Sequence, residues 1–150
     1  MYFEDLESRV NVGFRLDPVT IERDKMLAFA KEYDDHPLHT DDAYAETTTY
    51  EKIIAPGIMS FMSVWNQYLK KDPIGEELIA GKSNNVDWYK PVYAGDTLTG
   101  MAAITRTLAK NPYNGIVEIT IEAYNQKGDM VLRGITEVVV KRRGWDSPSL

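Results

Sequence analysis

The 150-residue sequence contains no cysteine and only two histidines, and it has no long apolar run. Without cysteine, the chain can form neither a disulfide framework nor a thiolate zinc site, and it has no thiol nucleophile. A membrane helix needs roughly 18 consecutive apolar residues. The acidic segment MYFEDLESRV also lacks the basic and apolar regions of a signal peptide. These features predict a cytoplasmic protein that makes no contact with a membrane.

Basic side chains are also in the minority: 17 of them face 23 acidic ones, and the formal net charge is -6. This balance predicts no nucleic-acid partner, because DNA- and RNA-binding domains present dense positive surfaces. Positive charge is densest at residues 141–143, which suits either the solvated end of a strand or a contact with a phosphate group. With no repeat, low-complexity tract or linker-like composition, residues 1–150 are predicted to form a single domain.

Hydrophobic periodicity predicts helices in the first half of the chain and strands in the second. One helix is expected to follow Thr20 as its N-cap and to reach Tyr33, and Asp41 is expected to cap a short second helix. The third helix, within IAPGIMSFMSVWNQYLKK, carries large apolar side chains in nearly every direction, so other elements must surround it. The predicted strands lie in the segments SNNVDWYKPV, DTLTGMAAITRTLA, GIVEITIEAYN and MVLRGITEVVVKRR. The expected fold is therefore α+β, with an antiparallel sheet wrapped around one buried helix.

Both histidines fall in the segment YDDHPLHTD, residues 33–41, together with three aspartates. A histidine beside a carboxylate keeps one tautomer and can exchange protons near neutral pH. Pro37 forces a turn between Asp34 and His39, so both side chains could point into one cavity. The same segment is compatible with a capped loop that bears surface histidines, or with a metal site built from His36, His39 and nearby aspartates. Spacing alone does not choose among these alternatives.

The dipeptide Pro56–Gly57 precedes the apolar part of the predicted buried helix. Unpaired N–H groups and the helix dipole at a helix N-terminus stabilise a developing negative oxygen. Glycine also lets a ligand approach the backbone closely. The dipeptide is equally compatible with a plain turn that starts a helix. Together with the Asp34–His39 pair, however, a Gly57 N–H at this place suits chemistry beside a carbonyl group.

In their order and spacing, these motifs resemble the MaoC-like hot-dog dehydratases, especially the (R)-specific enoyl-CoA hydratases, over nearly the whole chain. The family pattern is Asp, two residues, Pro, one residue and His, often continuing to Asp. It is matched here by Asp34, Pro37, His39 and Asp41. Gly57 corresponds to the glycine at the start of the family's central helix, and VDWYKPVYAGDTL resembles its strand–turn segment.

The sequence departs from the family pattern at two positions. His36 stands where the family usually has Asn or Gln, so a ring nitrogen of His36 would have to take over any positioning role of that amide. Trp65 stands where some hydratases have a small polar residue two turns into the central helix. Both residues are predicted to contribute to substrate binding, and the bulk of Trp65 predicts a preference for short acyl chains.

The resemblance implies a hot-dog fold, with the sheet wrapped around the helix that begins near Pro56, and a homodimer or a dimer of dimers. It also implies an (R)-specific enoyl-CoA hydratase, or 3-hydroxyacyl-CoA dehydratase, that adds water reversibly and with syn geometry to a trans-2-enoyl thioester. Asp34 and His39 would be the catalytic pair that moves the protons of the water. The Gly57 N–H would bind the thioester oxygen. No metal or redox cofactor is expected, and coenzyme A enters as the carrier part of the substrate.

Two alternatives use the same fold. A hot-dog acyl-CoA thioesterase would bind the same thioester, but it would direct water at the carbonyl carbon and release free coenzyme A. A non-catalytic acyl-CoA-binding protein would keep Asp34 and His39 without turnover. A thiol-reactive dye separates hydration from hydrolysis, because hydration liberates no thiol.

Overall fold

The computed structural model of this chain describes residues 1–144, which form a mixed α+β structure. The helices are α1 (Phe3–Leu6), α2 (Arg23–Tyr33), α3 (Pro37–Thr40), α4 (Asp42–Glu46) and α5 (Gly57–Leu69). The strands are β1 (Phe14–Arg15), β2 (Val19–Thr20), β3 (Leu78–Trp88), β4 (Thr97–Ala109), β5 (Asn114–Tyr124) and β6 (Met130–Lys141). Short 3-10 turns follow α1 at Glu7–Arg9 and precede β3 at Gly75–Glu77. None of the helices within residues 1–144 is long and apolar enough to cross a membrane.

The strands form an antiparallel sheet in the order β1-β4-β5-β6-β3, and β2 pairs with another part of β4. The pattern of β5 explains its central place: Val117, Ile119 and Ile121 are buried, whereas Glu118 and Glu122 on the same strand are only partly buried. One face of the sheet is therefore apolar and must pack against another element. The predicted α+β class and antiparallel sheet are confirmed.

Helix α5 packs its buried face against the apolar face of the sheet. The contact is close at Gly134 in β6, where a Cβ atom would lie only 2.5 Å from the Phe61 ring. On the opposite flank, Ile58, Met62 and Leu69 remain 50%, 52% and 46% exposed. The expectation that other elements surround this helix is therefore wrong for one flank, because a single sheet covers only one side of a helix.

The two predicted helix caps have different outcomes. Helix α2 begins after Glu22, so the prediction of Thr20 as its N-cap is wrong. Thr20 belongs to β2 and pairs with Thr97 of β4, and their hydroxyl oxygens lie 3.0 Å apart. That pairing spans much of the chain, so the local sequence around Thr20 does not reveal it. The second cap is confirmed, because Asp41 Oδ1 accepts a hydrogen bond from the Tyr44 N–H at 3.1 Å.

The basic run that follows β6 is paired with helix α1. Arg142 Nε donates a hydrogen bond to Glu4 Oε1 at 2.9 Å. The Arg143 guanidinium pairs with the Asp5 carboxylate, and this hydrogen bond lowers the pKa of Asp5. The two arginines therefore hold the first helix against the end of the sheet, a role that the sequence did not predict.

Candidate functional site

A single helical turn brings Asp34 and His39 together after α2. Asp34 caps the C-terminus of α2, and Pro37 begins α3, whose one turn carries His39 back toward Asp34. Asp34 Oδ2 lies 3.2 Å from His39 Nε2. The side chain of His39 is 11% exposed and that of Asp34 is 51% exposed. The pair therefore links the protein interior to the surface, and the turn at Pro37 produces the proximity that the sequence predicted.

The hydrogen bond on the other side of the His39 imidazole fixes its tautomer. His39 Nδ1 lies 2.7 Å from the Ile54 carbonyl oxygen. A carbonyl oxygen can only accept, so Nδ1 carries the hydrogen. Nε2, which faces Asp34, is then the ring nitrogen with a free lone pair. Because neutral Nε2 and a carboxylate oxygen are both acceptors, their contact requires a proton between them or a donor, such as water, that serves both.

A cavity of about 440 Å³ lies between this pair and the start of α5. Its volume falls in the range of sites for small organic ligands, roughly 300–1,000 Å³. Its wall includes Asp34, His39, Gly57, Ser60, Trp88 and Lys90. One cavity is therefore lined by Asp34 and His39, which the sequence assigned to acid–base chemistry, and by Gly57, which it assigned to oxyanion binding.

The structure places Trp65 and His36 outside the described wall of this cavity. Trp65 packs against two aromatic neighbours on α5, with ring centroids 6.2 Å from Phe61 and 4.8 Å from Tyr68. His36 is exposed in the same turn as the Asp34–His39 pair. Substrate contacts by Trp65 and His36 therefore stay predictions.

Gly57 is the first residue of α5, so its N–H has no acceptor within the helix. Its carbonyl oxygen accepts a hydrogen bond from Trp88 Nε1–H at 2.9 Å. The indole ring also packs tightly on the glycine, since a Cβ atom there would lie 2.5 Å from Trp88 Cε2. Trp88 thus closes one side of the helix start, and a larger residue at position 57 would require the indole or the helix start to move. Sequence reasoning missed this contact, although Trp88 stands inside the quoted strand segment.

Ser60 is a second residue that sequence reasoning missed. It lies one turn after Gly57 on α5 and is 1% exposed. Its hydroxyl has no hydrogen-bond partner in the described part of the chain, and a buried polar group without a partner is uncommon. Residues three apart share a helix face, and Ser60 lines the cavity together with Gly57. A serine inside a markedly apolar helix, three residues after the glycine, was the available signal.

Two side-chain contacts connect the segments that surround the site. The Arg23 guanidinium donates to both carboxylate oxygens of Asp42, at 3.2 and 2.6 Å, and ties α4 to α2. This hydrogen bonding lowers the pKa of Asp42. Tyr93 donates its hydroxyl to the Tyr50 carbonyl oxygen at 3.0 Å, beside the cavity. Burial, with the Glu51 and Asp96 carboxylates nearby, raises the pKa of Tyr93 and keeps it protonated as a donor.

The described residues do not assemble the metal site that the spacing allowed. Within residues 1–144, no three His, Cys, Asp or Glu side chains are grouped so that they could hold a metal ion. His36 and His39 each engage Nδ1 in a hydrogen bond with the backbone. Their ring centroids lie 6.5 Å apart.

Sequence comparison finds relatives over most of the chain. The family described as MaoC like domain matches residues 6–125. The (R)-specific enoyl-CoA hydratase of Aeromonas caviae is 30% identical over 119 residues, which cover 78% of this chain and 83% of that protein. YdeM, an uncharacterized protein of Bacillus subtilis strain 168, is 28% identical over 137 residues, which cover 91% of this chain and 97% of that protein.

Solved structures of such proteins share the fold. A MaoC-like dehydratase from Rhodospirillum rubrum superposes with a TM-score of 0.84 at 26% identity, over 95% of this chain and 98% of that one. An (R)-hydratase from A. caviae superposes with a TM-score of 0.67 at 29% identity, over 87% of this chain and 93% of that one. These similarities confirm the α+β hot-dog fold that the sequence predicted.

Proposed function

This chain belongs to the MaoC-like dehydratase family, and from that premise we propose that it hydrates trans-2-enoyl-CoA thioesters to (R)-3-hydroxyacyl-CoA and catalyses the reverse dehydration. The main observation in support is the shared cavity. Asp34, His39 and Gly57, the first residue of α5, line the same space. The activity named for the A. caviae relative supports the choice of reaction.

Asp34 and His39 would hold the water in this reaction. Asp34 Oδ2 and neutral His39 Nε2 are both acceptors, so a water in front of them donates one hydrogen to each and turns a lone pair toward the substrate. Its oxygen bonds to the β carbon while one O–H bond breaks and that proton passes to the pair. The electrons of the carbon–carbon double bond move toward the thioester. The pair then returns a proton to the α carbon, so one water is added in total.

The thioester oxygen gains negative charge in the enolate-like state that this addition forms. The Gly57 N–H would bind that oxygen, aided by the dipole of α5. One such donor is typically worth on the order of 3 kcal/mol in the barrier. The Ser60 hydroxyl, which is buried in the same wall without a partner, offers a second donor to a polar atom of the bound thioester.

A panel of trans-2-enoyl-CoA thioesters tests the proposed reaction. Incubation with the protein should reduce the absorbance of the conjugated thioester, because water addition removes the double bond, while a thiol-reactive dye detects no free coenzyme A. Chiral analysis of the product should give the (R) isomer. Release of thiol would instead indicate a thioesterase, and tight binding without either change would indicate a non-catalytic acyl-CoA-binding protein.

The proposed chemistry uses protons and backbone or hydroxyl donors only. We therefore expect turnover to be unchanged after chelator treatment, and elemental analysis of the purified protein to find no stoichiometric zinc, iron or manganese. Activity that is lost on chelation and returns with one added metal would contradict this expectation.

Acyl-chain length tests the predicted role of Trp65. If Trp65 limits the depth available to the acyl chain, short or short-branched enoyl-CoA should be preferred over dodecenoyl-CoA by roughly ten- to a hundredfold in kcat/KM. Trp65→Ala should shift this ratio toward longer chains. Tyr113→Ala is the matched control, because Tyr113 is an exposed aromatic residue outside α5 and outside the cavity wall, and it should leave the ratio unchanged. An unchanged ratio in Trp65→Ala would assign Trp65 to core packing.

The expectation of a homodimer, or a dimer of dimers, also becomes part of the proposal. Strand β3 stands at the end of the strand order and pairs only with β6 among the described strands. The adjacent exposed apolar side chains Ile58, Met62 and Leu69 on α5 favour an interface as well. A cytoplasmic location stays a prediction.

A further inference from the structure

We propose that His36 is a positioning residue for the Asp34–His39 pair, and that only its neutral imidazole performs this role. The inference rests on the proposed hydratase function and adds a residue that does not line the cavity. It predicts that protonation of His36 disturbs the geometry of the Asp34–His39 pair, and that His36 does not act on the substrate directly.

The backbone of His36 connects the two members of the pair. Its N–H donates to the Asp34 carbonyl oxygen at 2.8 Å, and its own carbonyl oxygen accepts from the His39 N–H at 2.9 Å. The Thr40 hydroxyl donates to the same His36 oxygen at 3.2 Å. The backbone conformation of His36 therefore determines the relative positions of Asp34 and His39.

The side chain of His36 supplies that constraint. Helix α3 starts with Pro37, which has no N–H, so the Leu38 N–H is its first free donor. His36 Nδ1 accepts from this N–H at 3.0 Å and acts as the N-cap, with φ of −106° and ψ of 140°. Asparagine caps helices in a comparable way through its side-chain oxygen. Helix α3 has four residues, and the cap acts there together with hydrogen bonds from the Asp41 N–H to the Pro37 carbonyl oxygen and from the Ile54 N–H to the Leu38 carbonyl oxygen.

Protonation would remove this cap. Nδ1 can accept only while its lone pair is free, and in the imidazolium both ring nitrogens are donors. An added hydrogen on Nδ1 would face the Leu38 N–H, so the contact would become repulsive. Histidine changes charge in the range of about pH 5–8. The cap therefore exists only while the His36 imidazole is neutral.

The surroundings of His36 hold several titratable groups that bear on this change. The His36 ring packs edge-on against the Tyr44 ring of α4, with centroids 6.0 Å apart, and 6.5 Å from the His39 ring of α3. Asp34, Asp35 and Asp41 flank it along the chain. The carboxylate of Asp34 contacts His39, and that of Asp41 accepts from the Tyr44 N–H.

Two substitutions separate the cap from general packing. His36→Asn supplies an acceptor that does not titrate, and His36→Ala supplies none. At pH 8 we expect His36→Asn to retain kcat within about threefold, whereas His36→Ala should lose roughly ten- to a hundredfold, because small displacements of catalytic groups are costly. KM should change little in either variant. The acid limb of the kcat profile should shift to lower pH in His36→Asn.

Nuclear magnetic resonance tests the same proposal without turnover. With ¹⁵N-labelled histidine, His36 should carry its hydrogen on Nε2 at neutral pH. Amide exchange at Leu38 should be slow in wild type and in His36→Asn, and faster in His36→Ala or in wild type at low pH. Equal Leu38 exchange in all three proteins would overturn the cap. Equal kcat in wild type and His36→Ala would overturn the positioning role.

Failure of the proposed function can be recognised separately. If the wild type hydrates no enoyl-CoA thioester, the positioning role is measured through the His39 ¹⁵N signals. These signals should change in His36→Ala and match the wild type in His36→Asn. Identical His39 signals in all three proteins would then overturn the inference, whereas the expected pattern would support it for whatever reaction the pair performs.

Discussion

Asp34→Asn and His39→Ala should each reduce the rate of hydration by about a hundred- to ten-thousandfold, the usual contribution of a positioned acid or base. The amide of Asn keeps the size of the carboxylate, but it cannot take up the proton of the water. Alanine at residue 39 removes Nε2, the only nitrogen of the ring free to exchange a proton, since Nδ1 is committed to the Ile54 carbonyl oxygen.

The double variant should be little slower than either single variant, because the two side chains act on the same proton transfers. Initial rates with a short enoyl-CoA, together with circular dichroism of each protein, make the measurement. Asp35→Asn is the matched control: it changes the neighbouring exposed aspartate, and its rate should stay close to that of the wild type. A folded Asp34→Asn protein with near-full activity would remove Asp34 from the proposed mechanism.

Gly57→Ala should lower kcat by roughly a hundred- to a thousandfold, the cost typical of losing an oxyanion donor. The added Cβ would lie 2.5 Å from Trp88 Cε2, a distance that requires the indole or the start of α5 to move. Movement of the helix start would displace the Gly57 N–H from the position proposed for the thioester oxygen, and movement of the indole would break the hydrogen bond from Trp88 Nε1 to the Gly57 carbonyl oxygen.

Gly81→Ala controls for the substitution itself, since a Cβ at Gly81 meets no atom within 4 Å. This variant should have close to wild-type kcat. Adding Trp88→Ala to Gly57→Ala should relieve the clash and restore part of the lost rate. Gly57→Ala with unchanged kcat would show that the oxyanion is bound elsewhere, and no recovery in the double variant would show that the clash with Trp88 is not the cause.

The parts of the fold that the sequence predicted are those set by short-range patterns. Alternating residues such as Val117 and Ile119 identify a strand, and Asp41 can cap α4 without any distant partner. The prediction of Thr20 as a helix N-cap is wrong because Thr20 pairs with Thr97, which is distant in the sequence. This strand pairing outweighs the local preference of threonine for an N-cap position. The exposed flank of α5, including Met62, was missed for the same reason: apolar composition does not show which side a sheet will cover.

In the candidate site, too, local sequence predicts the positions of some residues, and tertiary contacts determine those of others. Asp34 and His39 are joined by one turn at Pro37, so their proximity could be predicted from local geometry. Trp88 reaches Gly57 only because the end of β3 lies beside the start of α5, which is a tertiary arrangement. The cap that His36 provides depends on rotamer and on the direction of one ring nitrogen, which residue type alone does not specify.

The hydrogen bond between His39 and the Ile54 carbonyl oxygen limits where this chain can change in length. Ile54 is joined to Gly57 by two residues, and the Ala55 N–H fixes that tether by donating to the Val92 carbonyl oxygen at 2.7 Å. One inserted residue would lengthen the tether by up to about 3.5 Å, which exceeds the length of a hydrogen bond. The imidazole and the helix start would then no longer be spaced for one ligand. Insertions in the loop between the end of α4 and Ile54 leave that spacing intact, so variation in length can be tolerated there and not between Ile54 and Gly57.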